Sequence, residues 1–362
     1  SLVSAIRQAA EAGMDELCWD LALTAVSLFD VKGYMDDWRE TAELAHAAAA
    51  RAGNRVGVAA MLYSLGTLHI VQKRFAEAER YFASALEIFE EEGNLHGQGL
   101  VLRNSAYVDR MWANFDRMLA KYDSALAKIR AVGDLIGEAH VLTNLGMFRI
   151  DEGDFDEANE ILSKALSLCE RAGYRRGEAH VRTRLAELYL ATGQVAHARR
   201  AMNDVLRTVR EVGDRIGEAH ALYGLGVVRR REGRVDSAEA TISHALSVVE
   251  EVGERSIEGQ ARFVLGEIAV ARADYRTAAK HIERAHELFD ELGMSLWLAK
   301  TLILRSEVHD NNGLAELATA DLGRARGLLS GIGSKQSDRL LEQLEEASSA
   351  LVADALSGRP WR

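Results

Sequence analysis

Three histidines are the residues of this sequence whose type and regular spacing could support metal chemistry. His140, His180 and His220 each end a Glu-Ala-His segment, and they lie 40 residues apart. All ligands of one zinc ion must lie about 2 Å from it, whereas packed helices lie about 8–10 Å apart. If each period is a helical unit, equivalent histidines are too distant to share an ion. We therefore interpret them as a repeated polar position and predict no metal and no cofactor.

Motifs of catalytic sites are absent from the rest of the sequence. The segment Gly331-Ile-Gly-Ser-Lys335 is too short for a phosphate-binding loop, and neither Gly-x-Ser-x-Gly nor His-Glu-x-x-His occurs. Cys18 and Cys169 lack metal or redox spacing. We predict that both are buried apolar residues of a protein in a reducing compartment. The sequence favours a binding protein over an enzyme.

The elements that position these residues follow a strict period. A fixed period of this length is typical of stacked helical repeats, which mostly bind other molecules. The period is marked by nine glycines, each 40 residues from the next: Gly13, Gly53, Gly93, Gly133, Gly173, Gly213, Gly253, Gly293 and Gly333.

The repeat between Gly133 and Gly173 has the pattern of two helices. Asp134 and Asp154 stand where N-cap residues are expected, before each apolar run. Each run ends at a glycine, which can adopt the left-handed conformation after a helix. We therefore predict a helical hairpin that cannot bury its apolar faces alone. The residues of these faces are Ala139, Leu142, Leu145, Gly146 and Phe148, then Phe155, Ala158, Ile161, Leu162, Ala165 and Leu168.

Small residues recur at fixed offsets within the hairpin. Gly146 is followed by Ala158 and Ala165, and small side chains at these places let two helices approach closely. The same offsets give Gly66, Ala78 and Ala85, then Gly226, Ala238 and Ala245, then Gly266, Ala278 and Ala285. This pattern resembles the tetratricopeptide repeat, whose first helix carries Leu-Gly and whose second helix carries the alanines. The usual repeat has 34 residues, so the repeat here is six residues longer.

The resemblance implies an all-α fold, a right-handed α-solenoid of about eight 40-residue hairpins with a C-terminal capping helix. Repeats one and three depart most from the pattern. Trp38 and Met118 stand where alanine is expected, and Ala113 stands where the mid-hairpin glycine is expected. The small position of the first helix is occupied by Val26, Gly66, Ala106, Gly146, Ala186, Gly226, Gly266 and Ser306.

The repeat pattern also predicts the domain limits. We expect a superhelix over residues 1–333, a capping helix over 334–357 and a tail at 358–362. Residues 1–12 resemble the end of a second helix whose first helix is missing, and no initiator Met is present, so we expect a fragment of a longer protein. The apolar face of the capping helix is formed by Leu340, Leu341, Leu344, Ala347, Leu351 and Ala355.

Charge and hydropathy restrict the partners and the compartment. The net charge is −11 and the pI is about 5.6, which argues against direct nucleic-acid binding. No apolar run reaches the roughly 18 residues of a membrane span, and no signal-peptide pattern opens the chain. We therefore predict a cytoplasmic protein that contacts no membrane.

In tetratricopeptide arrays the first helices line a concave groove, so the resemblance implies a ligand site there. An asparagine offers a donor and an acceptor, so Asn104 and Asn144 are expected to hold an extended peptide. Four residues occupy positions that resemble the carboxylate clamp of chaperone-binding members: Arg103, Asn144, His180 and Arg184. In this sequence, Tyr107 stands where that clamp has an asparagine, and His180 stands where it has a lysine. The alternative is a solvated polar groove. The predicted site residues are Arg103, Asn104, Tyr107, His140, Asn144, His180, Arg184, His220, Tyr223 and Arg230.

Repeat three offers a second candidate surface, because it lacks its mid-hairpin glycine and is rich in large apolar residues. Exposed aromatics there would form an interaction hot spot. The alternative is that they fill space left by altered helix packing. These residues are Tyr107, Met111, Trp112, Phe115 and Met118.

The sequences of two segments resemble repeats of large Streptomyces antibiotic regulatory proteins. One runs Gly213-Asp-Arg-Ile-Gly-Glu-Ala-His-Ala-Leu-Tyr-Gly-Leu-Gly226 and the other Gly33-Tyr-Met-Asp-Asp-Trp-Arg-Glu-Thr41. The resemblance implies a sensor or autoregulatory domain of a bacterial transcription regulator, which binds a protein or peptide segment or neighbouring domains of its own protein. A homodimer is also compatible with it. The alternatives are a constitutive scaffold and a peptide-pheromone receptor domain.

Overall fold

Helices follow the glycine period throughout the computed structural model, which describes residues 1–345. Residues 335–345 are helical as well. The helices before them are α1 (Leu2–Glu11), α2 (Asp15–Lys32), α3 (Met35–Arg51), α4 (Arg55–Val71), α5 (Phe75–Glu91), α6 (Leu95–Met111), α7 (Phe115–Ala131), α8 (Leu135–Glu152), α9 (Phe155–Arg171), α10 (Arg175–Ala191), α11 (Val195–Glu211), α12 (Arg215–Arg231), α13 (Val235–Val252), α14 (Arg255–Ala271), α15 (Tyr275–Glu291), α16 (Ser295–Asn311) and α17 (Ala315–Ser330).

The helices pair as the repeat predicts, which confirms the all-α solenoid. Hairpin 1 is α2 and α3, and the pairs continue in order to hairpin 8, which is α16 and α17. We call the first helix of each hairpin its A helix and the second its B helix. Helix α1 stands before hairpin 1 and packs its buried Ile6 and Ala9 against it. No helix of residues 1–345 is long and apolar enough to cross a membrane.

The turns between helices depend on a left-handed residue. Gly133 has φ 72°, and the next backbone N–H, that of Asp134, donates to the Ile129 carbonyl at 3.2 Å. This bond satisfies a carbonyl that the helix end leaves free. In three mid-hairpin turns the left-handed residue carries a side chain: Lys73, Ala113 and Ala273 have φ of 60°, 57° and 56°. These turns therefore keep the geometry without glycine.

Replacing Ala273 with glycine is expected to stabilise the protein by about 0.5–1 kcal/mol. The left-handed conformation costs a side-chain-bearing residue roughly 1–2 kcal/mol, of which the greater freedom of glycine in the unfolded chain offsets about 0.4–1 kcal/mol. Urea unfolding followed by circular dichroism measures the change. Gly253→Ala, at φ 71°, is the matched control and should destabilise. A loss of stability in Ala273→Gly would contradict this account of the turn.

Side-chain caps begin several A helices. The side chains of Asn54, Asn94 and Asp134 accept the backbone N–H three residues later at 2.8, 2.8 and 2.9 Å. Each bond satisfies one of the donors that a helix start leaves unpaired. The predicted cap at Asp134 is confirmed.

The two helices of a hairpin approach closely where the small residues were predicted. A Cβ added to Gly66 would lie 2.6 Å from the Phe82 ring, and one added to Gly146 would lie 2.6 Å from Leu162. At such distances the neighbour must move, so only glycine fits. The buried Trp38 replaces an expected alanine in hairpin 1, where its Nε1 donates to Ser64 Oγ at 2.8 Å.

Hairpin 3 contains a buried ion cluster that the sequence did not predict. The Asp109 side chain is 1% exposed, and Lys121 Nζ lies 2.7 Å from its Oδ2. The same ammonium lies 3.0 Å from Glu79 Oε1, and Ser105 Oγ donates to Glu79 Oε2 at 2.6 Å. The cluster thus ties α6 to α7 and to the B helix of the preceding hairpin.

The chain forms two compact units, each of which has its own core. The core at the C-terminal end of unit 2 includes Leu344, and Leu340 and Leu341 pack against it. This is the described part of the predicted capping helix. Ala347, Leu351 and Ala355, and the predicted tail at 358–362, lie outside the described residues. Unit 1 is residues 1–147, 159–184 and 211–215, and unit 2 is 148–158, 185–210 and 216–362.

Candidate functional site

One face of unit 1 is formed by polar and aromatic side chains of its A helices. Residues 40 apart occupy equivalent places on successive A helices, and residues four apart share a helix face, so these side chains form one surface. Each is half-buried. We call it the unit 1 A-helix face and define it as Tyr63 and Thr67 on α4, Arg103, Asn104 and Tyr107 on α6, and His140 and Asn144 on α8.

Hydrogen bonds join the α4 and α6 parts of this face. Arg103 Nη2 and Asn104 Nδ2 donate to the Tyr63 hydroxyl at 2.8 and 3.1 Å. Asn104 Nδ2 also lies 3.1 Å from Thr67 Oγ1, and its Oδ1 accepts from Arg103 Nε at 3.1 Å. No carboxylate of the described residues lies within 4.0 Å of the Arg103 guanidinium. The arginine is therefore oriented by neutral groups.

The two predicted asparagines differ in what they already contact. Asn104 uses its amide for Tyr63, Thr67 and Arg103. Asn144 approaches the hydroxyl of the fully buried Tyr122, whose pKa is raised by burial. Beyond Tyr122, the Asn144 amide has no polar partner among residues 1–345. Asn144 is thus the asparagine whose donors and acceptor remain for a ligand.

His140 is held as a neutral group on this face. Burial, followed by the charge of Arg103, lowers the pKa of His140 to about 3, although Asp134 opposes the shift. The Tyr174 ring meets the imidazole edge-on with centroids 5.6 Å apart. At neutral pH the imidazole therefore offers one donor and one acceptor without a charge.

An ion cluster lies beside this face and joins hairpins 1 and 5. Arg176 Nε donates to Asp214 Oδ2 at 3.1 Å, and its Nη1 lies 3.5 Å from Asp30 Oδ2. Arg176 and Asp30 also shift the pKa of Tyr174, which burial raises. Residues far apart in the sequence therefore meet at one end of the unit 1 A-helix face.

Three of the remaining predicted residues lie on later A helices. His180 is exposed and Arg184 half-buried on α10. His220 is exposed on α12, in unit 2. Among residues 1–345, no group of three or more His, Cys, Asp or Glu side chains could hold a metal ion. Tyr107 contacts Phe75 edge-on, with ring centroids 6.5 Å apart.

Unit 2 has an equivalent face with a different composition. Arg230 Nη1 donates to Glu267 Oε2 at 2.6 Å. Burial raises the pKa of Glu267, and the Arg230 charge opposes this. We call this surface the unit 2 A-helix face and define it as Tyr223, Val227 and Arg230 on α12, Phe263 and Glu267 on α14, and Lys300, Ile303 and Leu304 on α16.

Lys300 is the functional candidate on this face that the sequence reasoning missed. Its Nζ lies 4.9 Å from the centroid of the Trp297 ring, and no carboxylate of the described residues lies within 4.0 Å of it. Burial lowers the pKa of Lys300, against the charges of Glu267 and Asp151. The signal was in the sequence, because Lys300 occupies the repeat position of His140, His180 and His220.

The large residues of hairpin 3 divide between the two interpretations. Met118 is fully buried and fills space between the helices. Trp112 and Met111 are 42% and 40% exposed at the turn, and Phe115 is half-buried. Only the pair at the turn remains as an exposed apolar surface.

Comparison with protein families places this geometry among known repeats. Three family models, each described as tetratricopeptide repeat, match the chain; the matched residues are 137–211 and 217–291, 183–247, and 58–92. A search of curated proteins found no match.

Solved structures show the same fold at low identity. The chain is similar to a Rap protein in complex with Competence and Sporulation Factor, with a TM-score of 0.62 at 18% identity, over 91% of this chain and 94% of that one. A Rap conjugation gene regulator of plasmid pLS20, in complex with a Phr peptide, has a TM-score of 0.60 at 11% identity over 91% and 94%. A signal transduction ATPase with a tetratricopeptide repeat sensor from Pyrococcus horikoshii has a TM-score of 0.57 at 13% identity. The match covers 88% of this chain and 53% of that one.

Proposed function

Because the chain belongs to the tetratricopeptide-repeat family, we propose that it is a protein-binding domain whose unit 1 A-helix face holds an extended peptide or protein segment. The observation that carries the proposal is Asn144, whose half-buried amide has only Tyr122 as a polar contact among the described residues. An extended segment has unpaired backbone groups that match such an amide. The proposal requires no catalysis.

The neighbouring side chains suit the same ligand. Arg103 is oriented by Tyr63 and Asn104, which use only part of its five N–H donors. His140 adds a neutral donor and acceptor. A face that is already ordered loses little side-chain entropy on binding. Arg103, His140 and Asn144 are therefore the proposed contacts to the bound segment.

Two of the similar structures support a sensory role for the proposed binding. One similar structure is a Rap protein with its bound factor, and another is an ATPase with a repeat sensor. Our proposal is a sensor or autoregulatory domain of a bacterial transcription regulator in the cytoplasm. A ligand can act in this way only if it binds one state of the regulator more tightly than the other. A peptide-pheromone receptor is the second candidate, favoured by the two peptide- or factor-bound Rap structures.

Asn144→Ala is expected to weaken peptide binding by about 1–3 kcal/mol, because a buried partner of the ligand backbone is lost. The probe is a set of 12-residue peptides selected by display against the intact chain, and calorimetry measures Kd. The control is Asn104→Ala, whose amide is engaged within the protein; it should lower thermal stability more than affinity. Unchanged affinity in Asn144→Ala would exclude this face for the selected peptides. Failure to select any peptide would contradict the proposed function.

Autoregulation requires that the partner be part of the same protein. If neighbouring domains of the same protein are the ligand, calorimetry should detect their association with this chain, and Asn144→Ala should weaken it. The selected peptides should then compete with those domains. Absence of association would favour a separate peptide or protein partner.

A further inference from the structure

The contact between hairpins 1 and 2, which we call the first joint, differs in charge from the contact between hairpins 2 and 3. In the latter, Lys121 Nζ lies 2.7 Å from Asp109 Oδ2 and 3.0 Å from Glu79 Oε1. Residues 40 apart occupy equivalent places in successive repeats, so the same three positions meet one repeat earlier. There, nitrogen groups stand in place of the two carboxylates and a tyrosine in place of the lysine: Arg39 for Glu79, His69 for Asp109 and Tyr81 for Lys121.

His69 is buried at the first joint with an unpaired ring nitrogen. The residue is 8% exposed, and its Nδ1 has no hydrogen-bond partner among residues 1–345. Its ring stacks on Tyr81 with centroids 5.2 Å apart, and Tyr81 also packs against a core cluster that includes Trp38 and Ala42 of α3. Successive helical residues are about 100° apart, so His69 lies on the opposite side of α4 from Thr67 and the unit 1 A-helix face. A buried polar atom without a partner is unfavourable, so Nδ1 favours a ligand that it can bond.

Three arginines from three elements act on His69. Burial lowers the pKa of His69, the charge of Arg74 lowers it further against that of Glu77, and the charges of Arg39 and Arg80 add to the effect. Arg74, at the mid-hairpin turn, donates to Glu77 Oε1 at 2.8 Å. At neutral pH the imidazole is thus an uncharged donor and acceptor, and the positive charge of the joint comes from the arginines.

Arg39 and Arg80 are the arginines of this joint whose charge is not closely paired. No carboxylate of residues 1–345 lies within 4.0 Å of the Arg80 guanidinium. In the same part of the chain, the one carboxylate this close to Arg39 is that of Asp36, whose Oδ1 lies 3.7 Å from Nη1 and whose side chain is 99% exposed. Water screens such an exposed pair, so it contributes little. The first joint therefore holds two guanidinium groups, on α3 and α5, that remain for an anion.

We propose that the first joint is an oxyanion site, in which Arg39 and Arg80 bind a phosphoryl group and His69 Nδ1–H donates to it. The bound anion would bridge α3, α4 and α5, as the Lys121 ammonium bridges the carboxylates of the next joint. Arginine forks match the oxygens of a phosphate. A tetrahedral group also presents oxygens to three helices, whereas a planar carboxylate has only two oxygens. The ligand class is thus inorganic phosphate or a phosphate monoester, and the site does not depend on the proposed peptide site.

Equilibrium dialysis of the intact chain against radiolabelled inorganic phosphate, at constant ionic strength, tests the site. We expect saturable binding, and acetate should compete at least about tenfold less well than unlabelled phosphate, because it makes one hydrogen bond fewer to charged partners. Arg39→Gln should weaken phosphate binding about tenfold or more for the same reason. His69→Phe keeps a ring on Tyr81 and should also weaken it. Arg276→Gln, at an exposed arginine of α15, removes the same charge elsewhere and should leave it unchanged.

A second competitor, N-acetyl-phosphoserine amide, identifies the source of the phosphoryl group. Displacement of labelled phosphate by this compound would support a phosphorylated protein segment as the ligand. Displacement by unlabelled phosphate alone would support free phosphate instead. Both results support the site and differ only in what brings the phosphoryl group to it.

Absence of saturable phosphate binding would overturn the inference, as would binding that survives unchanged in both Arg39→Gln and His69→Phe. Acetate that competes as well as phosphate would also overturn it, because the chain would then attract anions in general. None of these results bears on Asn144, so the proposed function stands or fails on its own test.

Discussion

Replacing Lys121 with methionine is expected to lower the free energy of unfolding by about 1–3 kcal/mol, because the buried Asp109 carboxylate loses its closest cationic partner and keeps only Arg117, whose Nε lies 3.5 Å from Oδ1. Lys121 Nζ lies 2.7 Å from the carboxylate of Asp109, whose side chain is 1% exposed. Glu79, the other carboxylate of the cluster, is 27% exposed and can reach water. Asp109 therefore carries most of the cost. Urea unfolding followed by circular dichroism measures the loss.

The double variant Asp109→Leu with Lys121→Met is the matched control. It removes both charges, and well-packed apolar replacements for a buried ion pair are often neutral. We expect it to recover most of the stability that the single variant loses. A single variant that costs less than about 1 kcal/mol, or a double variant as unstable as the single one, would show that Arg117 or water replaces Lys121 as the partner of Asp109.

Gly66→Val is expected to destabilise hairpin 2 by about 3 kcal/mol, at the upper end of the usual cost of overpacking. The added Cβ would lie 2.6 and 2.8 Å from two atoms of the Phe82 ring. Phe82 is 1% exposed, so its ring has no space into which to turn. The A and B helices must therefore separate. Hydrogen exchange of α4 and α5 measures the local effect, because each repeat contacts mainly its neighbours.

Gly327→Ala is the control for this substitution. Gly327 lies within α17, and nothing lies within 4 Å of a Cβ added there. Alanine should raise stability by roughly 0.5–1 kcal/mol, the usual gain over glycine within a helix. If both substitutions changed the stability in the same direction, contact between the helices would not explain the glycine at position 66.

Much of the fold was predictable because the period repeats local signals. Gly133 ends one helix in the left-handed conformation, and Asp134 caps the next. These choices depend on a few adjacent residues, so they can be identified in the sequence. The close approach at Gly146 was predictable for the same reason, since a small residue has one steric role wherever it recurs. Cys18 and Cys169 are buried as predicted.

The contacts of the site were less predictable, because the period shows which residues are equivalent and not which side chains meet. Tyr63 and Arg103 are 40 residues apart, and their hydrogen bond depends on the reach of both side chains. The pairing of Arg230 with Glu267 leaves Lys300 without a carboxylate, which no single repeat indicates. Lys121 stands at an ordinary repeat position, and only the packing places it on Asp109.

The contact between Asp30 and Arg176 offers a way to detect ligand binding. Three complete hairpins lie between the two residues along the chain, yet their charged atoms are 3.5 Å apart. Each hairpin is rotated a little relative to the one before it, so small changes at successive joints add along the chain. The distance between these two side chains therefore changes with the combined rotation of all the hairpins between them. A pair of fluorophores placed beside Asp30 and Arg176 would register a slight bend at any one of them.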